Sequence, residues 1–249
     1  MPSLSTVPRS AYAASIAHTP EQVLAAQRLR TSVFGGELGA ALPGELDTDS
    51  FDAVCDHLVV EHQPTGEVVG TYRLLPPGRT DRLYSAGEFD LGSLDPLRAS
   101  LVEAGRSCVH PDHRGGAVIT LMWSALARYT LLSGHRYLAG CASVPLADGG
   151  RAAESTWRLG QARHRAPAEY RVAPHRPWEP EVPRQDRPSY AHVPPLLRGY
   201  LRLGAWVCGP PAHDPEFGVA DFFVLLPLDR IDERYLRFFL GDSGSEKTR

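Results

Sequence analysis

The residues best suited to chemistry lie in one stretch, Glu103-Ala-Gly-Arg-Ser-Cys-Val-His-Pro-Asp-His-Arg-Gly-Gly116. Glu103 is a candidate proton acceptor, and Arg106 is a candidate clamp for an anion. Arg114, Gly115 and Gly116 come just before an apolar-periodic segment at 117–133. A basic, glycine-bearing loop that opens a helix aims free backbone N–H groups and the positive end of a helix dipole at one spot, which suits a phosphate. Positioning these groups takes a strand, a turn and a helix. Residues 106–109 read as the strand, Pro111 and Asp112 stop it, and the segment from Ala117 supplies the helix.

The other elements must hold that unit in place. Residues 12–17 read as a first strand. Thr19-Pro-Glu-Gln22 is a helix start, with a hydroxyl cap, proline in the first turn and an acid beside it; the helix is expected to end near Phe34. Residues 57–61 and 67–75 flank a turn at 63–66, as a hairpin would. After the central stretch, 137–144 reads as an apolar strand. Two strands joined through a helix by short links are expected to be parallel neighbours in a sheet covered by helices. Further helices are expected at 150–165 and 229–240, a short helix or turn at 196–203, and late strands at 206–208 and 222–226. Residues 166–195 read as a proline-rich connector or flap. A single domain over 12–240 is expected, between a loose tail at 1–11 and a polar tail at 241–249.

Composition removes several classes of function. The formal net charge of −3 argues against a general nucleic-acid binder. Lys247 is the only lysine, which leaves almost no room for Schiff-base chemistry. The four cysteines, Cys55, Cys108, Cys141 and Cys208, form no C-x-x-C pair, and neither a secretion signal nor a membrane-spanning run is visible. Free thiols in the cytoplasm are therefore expected, with at most peripheral contact at the inner membrane face. His110-Pro-Asp-His113 and Cys55-Asp-His57 lack third and fourth ligands at usual spacing, so no metal is expected.

Four short motifs fall in order: Arg30-Thr-Ser-Val-Phe34, Asp49-Ser-Phe-Asp52, Arg73-Leu-Leu-Pro76 and Glu103-Ala-Gly-Arg106. They resemble the R-x-x-V-F, D-x-[YF]-D, R-L-L-P and E-x-x-R elements of acyl-homoserine-lactone synthases. Cys55-Asp-His-Leu58, Gly105 through Arg114, Gly140-Cys-Ala-Ser143, Gly199-Tyr-Leu-Arg-Leu-Gly-Ala205 and Ala220-Asp221 look more like ornithine-lipid N-acyltransferases. Over roughly residues 12 to 240 the chain thus resembles the long-chain branch of the GNAT superfamily of N-acyltransferases.

The resemblance implies an α/β GNAT-like fold, with a mixed central sheet splayed at the donor site and helices on both faces. It also implies transfer of a fatty acyl group from a thioester to the α-amine of an amino acid, ornithine foremost, by direct attack. It implies no bound cofactor, with acyl-phosphopantetheine, on an acyl carrier protein or as acyl-CoA, as the co-substrate. Glu103 would take the proton of the attacking amine, with Arg106 beside it. Asp49 and Asp52 would hold a cationic acceptor, Arg73 would clamp a carboxylate, and Arg30 and Phe34 would shape the floor. Backbone N–H groups at Cys108 and Val109 would meet the oxyanion. His113, Arg114, Gly115, Gly116 and Ser143 would face the donor. Glu45 and Asp47 read as a solvated acidic loop. Arg151, Arg158, Arg163 and Arg165 could steer an acidic carrier protein or be the polar side of a helix.

One departure bears on the donor. Acetyl-CoA-using members usually carry Q/R-x-x-G-x-G/A between strand and helix, whereas His113, Gly116 and Val118 stand in that frame here. A β-branched Val118 is expected to crowd a pyrophosphate, which favours a carrier-protein donor. The rival readings are a CoA-dependent small-molecule acetyltransferase, a lactone synthase acting on S-adenosylmethionine, and a non-catalytic acyl-binding module at a membrane surface. The last has its support in Tyr235-Leu-Arg-Phe-Phe-Leu240.

Overall fold

The computed structural model describes residues 10–37, 44–181 and 187–240. The expected tails lie outside these residues except for positions 10 and 11, as does 182–186 of the proline-rich stretch.

Strand Tyr12–Ile16 (β1) leads into helix Pro20–Arg30 (α1), where Thr19 accepts the Gln22 N–H at 3.3 Å and Pro20 occupies a position that needs no donor. The helix then widens into a π-helical turn, Thr31–Glu37. The hairpin Asp56–His62 (β2) and Glu67–Leu75 (β3) turns at Gly66, whose φ of 71° suits glycine. Next come Phe89–Asp90 (β4) and Leu101–Val109 (β5), then helix Gly116–Leu132 (α2) and strand Tyr137–Pro145 (β6). Helix Arg151–Arg163 (α3) and strand Ala173–Pro174 (β7) precede helix Pro195–Arg202 (α4). Trp206–Val207 (β8), Ala212–Asp214 (β9), Val219–Pro227 (β10) and helix Glu233–Leu240 (α5) close the order. β5 begins at Leu101, ahead of the expected residue 106. Glu103 therefore lies inside the strand, where pairing on both sides overrides the weak strand preference of Glu103 and Gly105.

The main sheet runs β1-β2-β3-β5-β6-β10-β8, with β9 also on β10. Every pairing in it is antiparallel except β5–β6, which is parallel as the strand–helix–strand pattern requires. That parallel pairing covers only Leu101, Val102 and Glu103 against Tyr137, Leu138 and Ala139. Beyond it the two strands part. At the branch point the backbones come so close that a Cβ on Gly140 would run into the Ala104 carbonyl oxygen.

Alternation along the strands separates two cores. Leu58, Val60, Tyr72, Leu74 and Val102 pack under α2 with Met122 and Leu126, and α5 closes this side with Phe239. On the opposite face Val59, Val68 and Cys108 meet α1, while Leu75, Leu101 and Phe223 meet the segment carrying Leu83, Phe89 and Leu94. The residues of the proline-rich stretch are tied down at several points: His175 N–H donates to Glu88 O, and Trp178 N–H to Pro211 O. Among the described residues no helix is long and apolar enough to cross a membrane.

Candidate active site

Arg73 and Glu103 point to the same face of the sheet, because their neighbours Leu74 and Val102 point to the other. The loop after the π-turn brings Asp47, Asp49 and Asp52 over that face. Arg30, 0% exposed, donates from Nε to Asp47 Oδ2 and from Nη2 to Asp52 Oδ1, both at 2.7 Å. Arg73 Nη1 donates to Asp49 Oδ1 at 2.7 Å and Asp52 Oδ2 at 2.9 Å. Arg106 Nη2 lies 3.4 Å from Asp49 Oδ2, and its Nε 3.8 Å from Asp47 Oδ2. Burial alone would raise the Asp52 carboxyl, but hydrogen bonds from Arg30 and the Asp49 N–H, with the charges of Arg30 and Arg73, bring it to about 2. The expectation of a solvated Asp47 is wrong: it is buried and anchors Arg30. Nor is Arg30 part of a solvated helix face. Phe34 is half-buried against the α1 side of the sheet.

Arg106 has φ 50°, making it the one non-glycine residue with positive φ among those described. The cause is a β-bulge: Thr71 pairs with Cys108 and Arg73 with Gly105, so Arg106 and Ser107 together face Tyr72. The bulge re-aims the Arg106 guanidinium over the Tyr84 ring, 5.2 Å from its centroid, with Arg73 at 5.1 Å from the same ring.

Glu103 is buried, and both carboxylate oxygens are engaged. Tyr84 N–H donates to Oε2 at 2.6 Å and Ser85 N–H to Oε1 at 2.9 Å. A surface glutamate paired with Arg106 is thereby excluded. Burial pushes its carboxyl up, against the opposing pull of the Ser85 and Tyr84 hydrogen bonds and of Arg73. A carboxylate nudged toward neutrality is better matched to accepting a proton from an amine.

The loop that holds Glu103 also reaches β6 and β10, where a group missed from the sequence lies. Ser85 accepts from the Cys141 thiol at 3.2 Å, and Ser143 Oγ donates to the buried Asp221 Oδ1 at 2.6 Å. Glu88 adjoins Asp221, and its buried Oε2 has no partner among the described residues. Burial raises both carboxyls; the charge and hydrogen bond of Asp221 push Glu88 further up, while Ser143 and Glu88 pull Asp221 back against the charge of Asp214, an arrangement that favours one proton held on the pair. Ala220-Asp221 was visible as a motif, but nothing in the sequence placed Glu88 beside it. The thiols near the cleft are poor nucleophiles: burial pushes Cys55 up to about 12 and Cys141 well above its ordinary value.

On the donor side, His110 N–H bonds Val69 O, and the ladder's alternation turns the Val109 N–H and carbonyl away from β3 toward the parted β6. Arg114 Nε donates to the Val109 carbonyl at 3.2 Å, and the Gly115–Gly116 loop opens α2. By the same alternation the Cys108 N–H pairs with β3, so of the two expected oxyanion donors only Val109 faces the gap. His113 instead packs at the sheet edge, with Nδ1 3.0 Å from Tyr12 Oη and its ring beside His62. Val118 is buried against Gly70, with the two separated by the space of a missing Cβ. It points into the core and cannot crowd the loop, so that argument against CoA falls.

Behind the parting strands is a narrow apolar pocket with a free volume of about 50 Å³. Ala104 and Gly140 line its entrance, and Trp123, Leu126, Leu226 and Phe239 are among its walls. Tyr200 also lines it and shares a hydrogen bond with Tyr72.

Residues 29–124 match the acetyltransferase (GNAT) domain. Over 92% of its length the chain is 33% identical to an L-ornithine N(alpha)-acyltransferase of Brucella abortus (strain 2308), covering 89% of that protein. It is 35% identical to the one from Rhodobacter capsulatus, again over 92% of this chain and 94% of the other. The fold is shared with the AHL synthase LasI, at a TM-score of 0.50 and 16% identity over 87% of this chain and 90% of that one. Splayed sheet, bulged strand and sequence kinship agree: the chain belongs to the L-ornithine N(alpha)-acyltransferase family within the GNAT superfamily, and it is an N-acyltransferase.

Proposed function

We propose that the protein transfers a fatty acyl group from a phosphopantetheine thioester to the α-amine of ornithine. One observation carries this reading. A charged cleft on one face of the sheet and an apolar pocket on the other meet at the gap between β5 and β6, beside Glu103. The pocket's aliphatic and aromatic lining suits an acyl chain, for which the narrow space would widen as side chains such as Trp123 and Phe239 move.

The acyl chain lies in the pocket, and the thioester carbonyl sits in the gap, where the Val109 N–H meets the developing oxyanion. Arg114 and the backbone of Gly115 and Gly116 receive the phosphate of the pantetheine arm, and Ser143 borders it on β6. Arg73 and Arg106 take the acceptor's carboxylate, with Asp49, at 26% exposure the most open of the three aspartates, beside its α-amine. Glu103 takes the α-amine proton as the amine attacks, and the thiolate leaves. Asp52 and Asp47 hold the arginines that do the binding. A second ammonium on the acceptor is met by Glu88 and Asp221, which have no Arg or Lys of their own within 4 Å among the described residues. An acyl carrier protein is the proposed donor, with the α3 arginines Arg151, Arg158 and Arg163, and Arg165 just beyond, as its steering face.

The test is incubation with carrier-protein and CoA thioesters of short and long acyl groups and a pool of amino acids, followed by mass spectrometry. Long-chain N-acylornithine is expected. Acetylated product alone, or methylthioadenosine released from S-adenosylmethionine, would overturn the reading.

A further inference from the structure

Helix α5 buries one apolar stripe and leaves another outside. Leu236 and Phe239 pack into the α2 side of the core, yet Phe238 is 64% exposed and Tyr235 42%. These rings border an open groove between α2, α4 and α5. Its polar rim consists of Arg198, Arg202, Arg234 and Thr120, with no carboxylate among the lining residues, although the whole chain is net negative. Asp232 holds Arg234 from outside the groove at 3.0 Å. The groove and the apolar pocket adjoin, with Trp123, Leu203 and Phe239 as common walls.

We propose that this groove is a docking surface for a bilayer containing anionic phospholipid. The residue types carry the choice of occupant. Exposed aromatic rings flanked by arginines on an amphipathic helix match the interfacial zone of a membrane, where rings enter the headgroup layer and guanidinium groups meet lipid phosphates. Shared walls with the pocket add a reason for lipid over protein: an acylated product can pass from pocket to bilayer without exposing its chain to water. That passage rests on the acyl-transfer reading, whereas the docking does not.

Co-sedimentation of the full chain, without substrates, with phosphatidylcholine vesicles lacking or containing phosphatidylglycerol tests it. Binding is expected on the anionic vesicles and is weakened by salt. Arg202→Glu and Phe238→Ser should each weaken it about tenfold, while turnover of a short, water-soluble donor in the absence of vesicles stays unchanged. Absence of vesicle binding, or binding by both variants as strong as that of the wild type, would overturn the proposal. So would variants that lose only carrier-linked turnover without vesicles, which would assign the groove to a carrier protein. Loss of wild-type self-association in Phe238→Ser, seen by light scattering, would assign it to a second copy of the chain. Because no acyl transfer is measured in the binding experiment, its failure leaves the proposed reaction standing.

Discussion

Two acidic walls stand on the same face of the sheet, and they handle charge in opposite ways. Asp47, Asp49 and Asp52 are matched by Arg30, Arg73 and Arg106, and Asp52 stays ionised far below neutrality. Glu88 and Asp221 have no such partners among the described residues, and burial raises both carboxyls. Glu103 lies between, raised by burial against the pull of its hydrogen bonds and of Arg73, and its charge adds to the burial that pushes Glu88 up. The first wall is a rigid, neutral lattice that offers guanidinium groups to a carboxylate. In the proposed reaction the second would exchange its proton for an ammonium group, because a buried carboxylate pair gains most from a cation it does not already have. Desolvation is common to both walls; the arginines decide the outcome.

The largest expected effect tests the group between them. Glu103→Gln should lower turnover about 10²–10⁴-fold, with a residual rate that climbs with pH as the amine loses its proton unaided. Glutamine sets an amide N–H₂ against one of the two N–H donors from Tyr84 and Ser85, so a thermal melt must accompany the assay. Unchanged turnover would remove Glu103 as the base.

Stability comes next. Arg30→Ala strips the buried Asp47 and Asp52 of a partner and should cost about 3–5 kcal/mol in chemical denaturation. Asp221→Asn removes a charge that no cation holds and should cost far less. Equal losses would erase the contrast between the walls.

The pH dependence has the opposite sign on the two sides. The folded-state carboxyls of Glu88 and Asp221 are raised, so above the ordinary carboxylate range the folded chain binds more protons than the unfolded one. Stability should therefore fall from about pH 5 to about pH 8. Asp52 is lowered, and its contribution is lost only as pH falls through the acid range toward about 2. Melting temperatures across the upper window should decline by several degrees in the wild type and less in Glu88→Gln. Identical slopes would remove the shared proton. The smallest effect expected is for Arg106→Lys, which loses the forked contact on the exposed edge of the first wall. KM for the amino acid should rise several-fold with little change in stability.

Much of this was legible in the chain. Thr19-Pro20 announced α1, the hairpin turn announced β2–β3, and the strand–loop–helix order announced the one parallel pair, because caps, turns and periodicity are local properties. Arg30, Asp49, Asp52, Arg73, Glu103 and Arg106 were singled out by motif, and tertiary structure brings all six together. Their burial was not legible. A helix arginine and an acidic loop look solvated until a loop folds one over the other, as Asp47 shows. His113 and Val118 were assigned to the donor by frame, but backbone direction turns one to the sheet edge and the other into the core.

The sequence by itself determined the elements, their order and the residue types available for acyl transfer, since those follow from propensity and local spacing. Only the tertiary structure decided which carboxylates are neutralised by arginines and which burial raises. It also decided that Glu103 is gripped by two backbone N–H groups and that an apolar pocket opens where Ala104 and Gly140 diverge. Protonation and cavity shape depend on groups far apart in the chain, and only packing sets the distances between them.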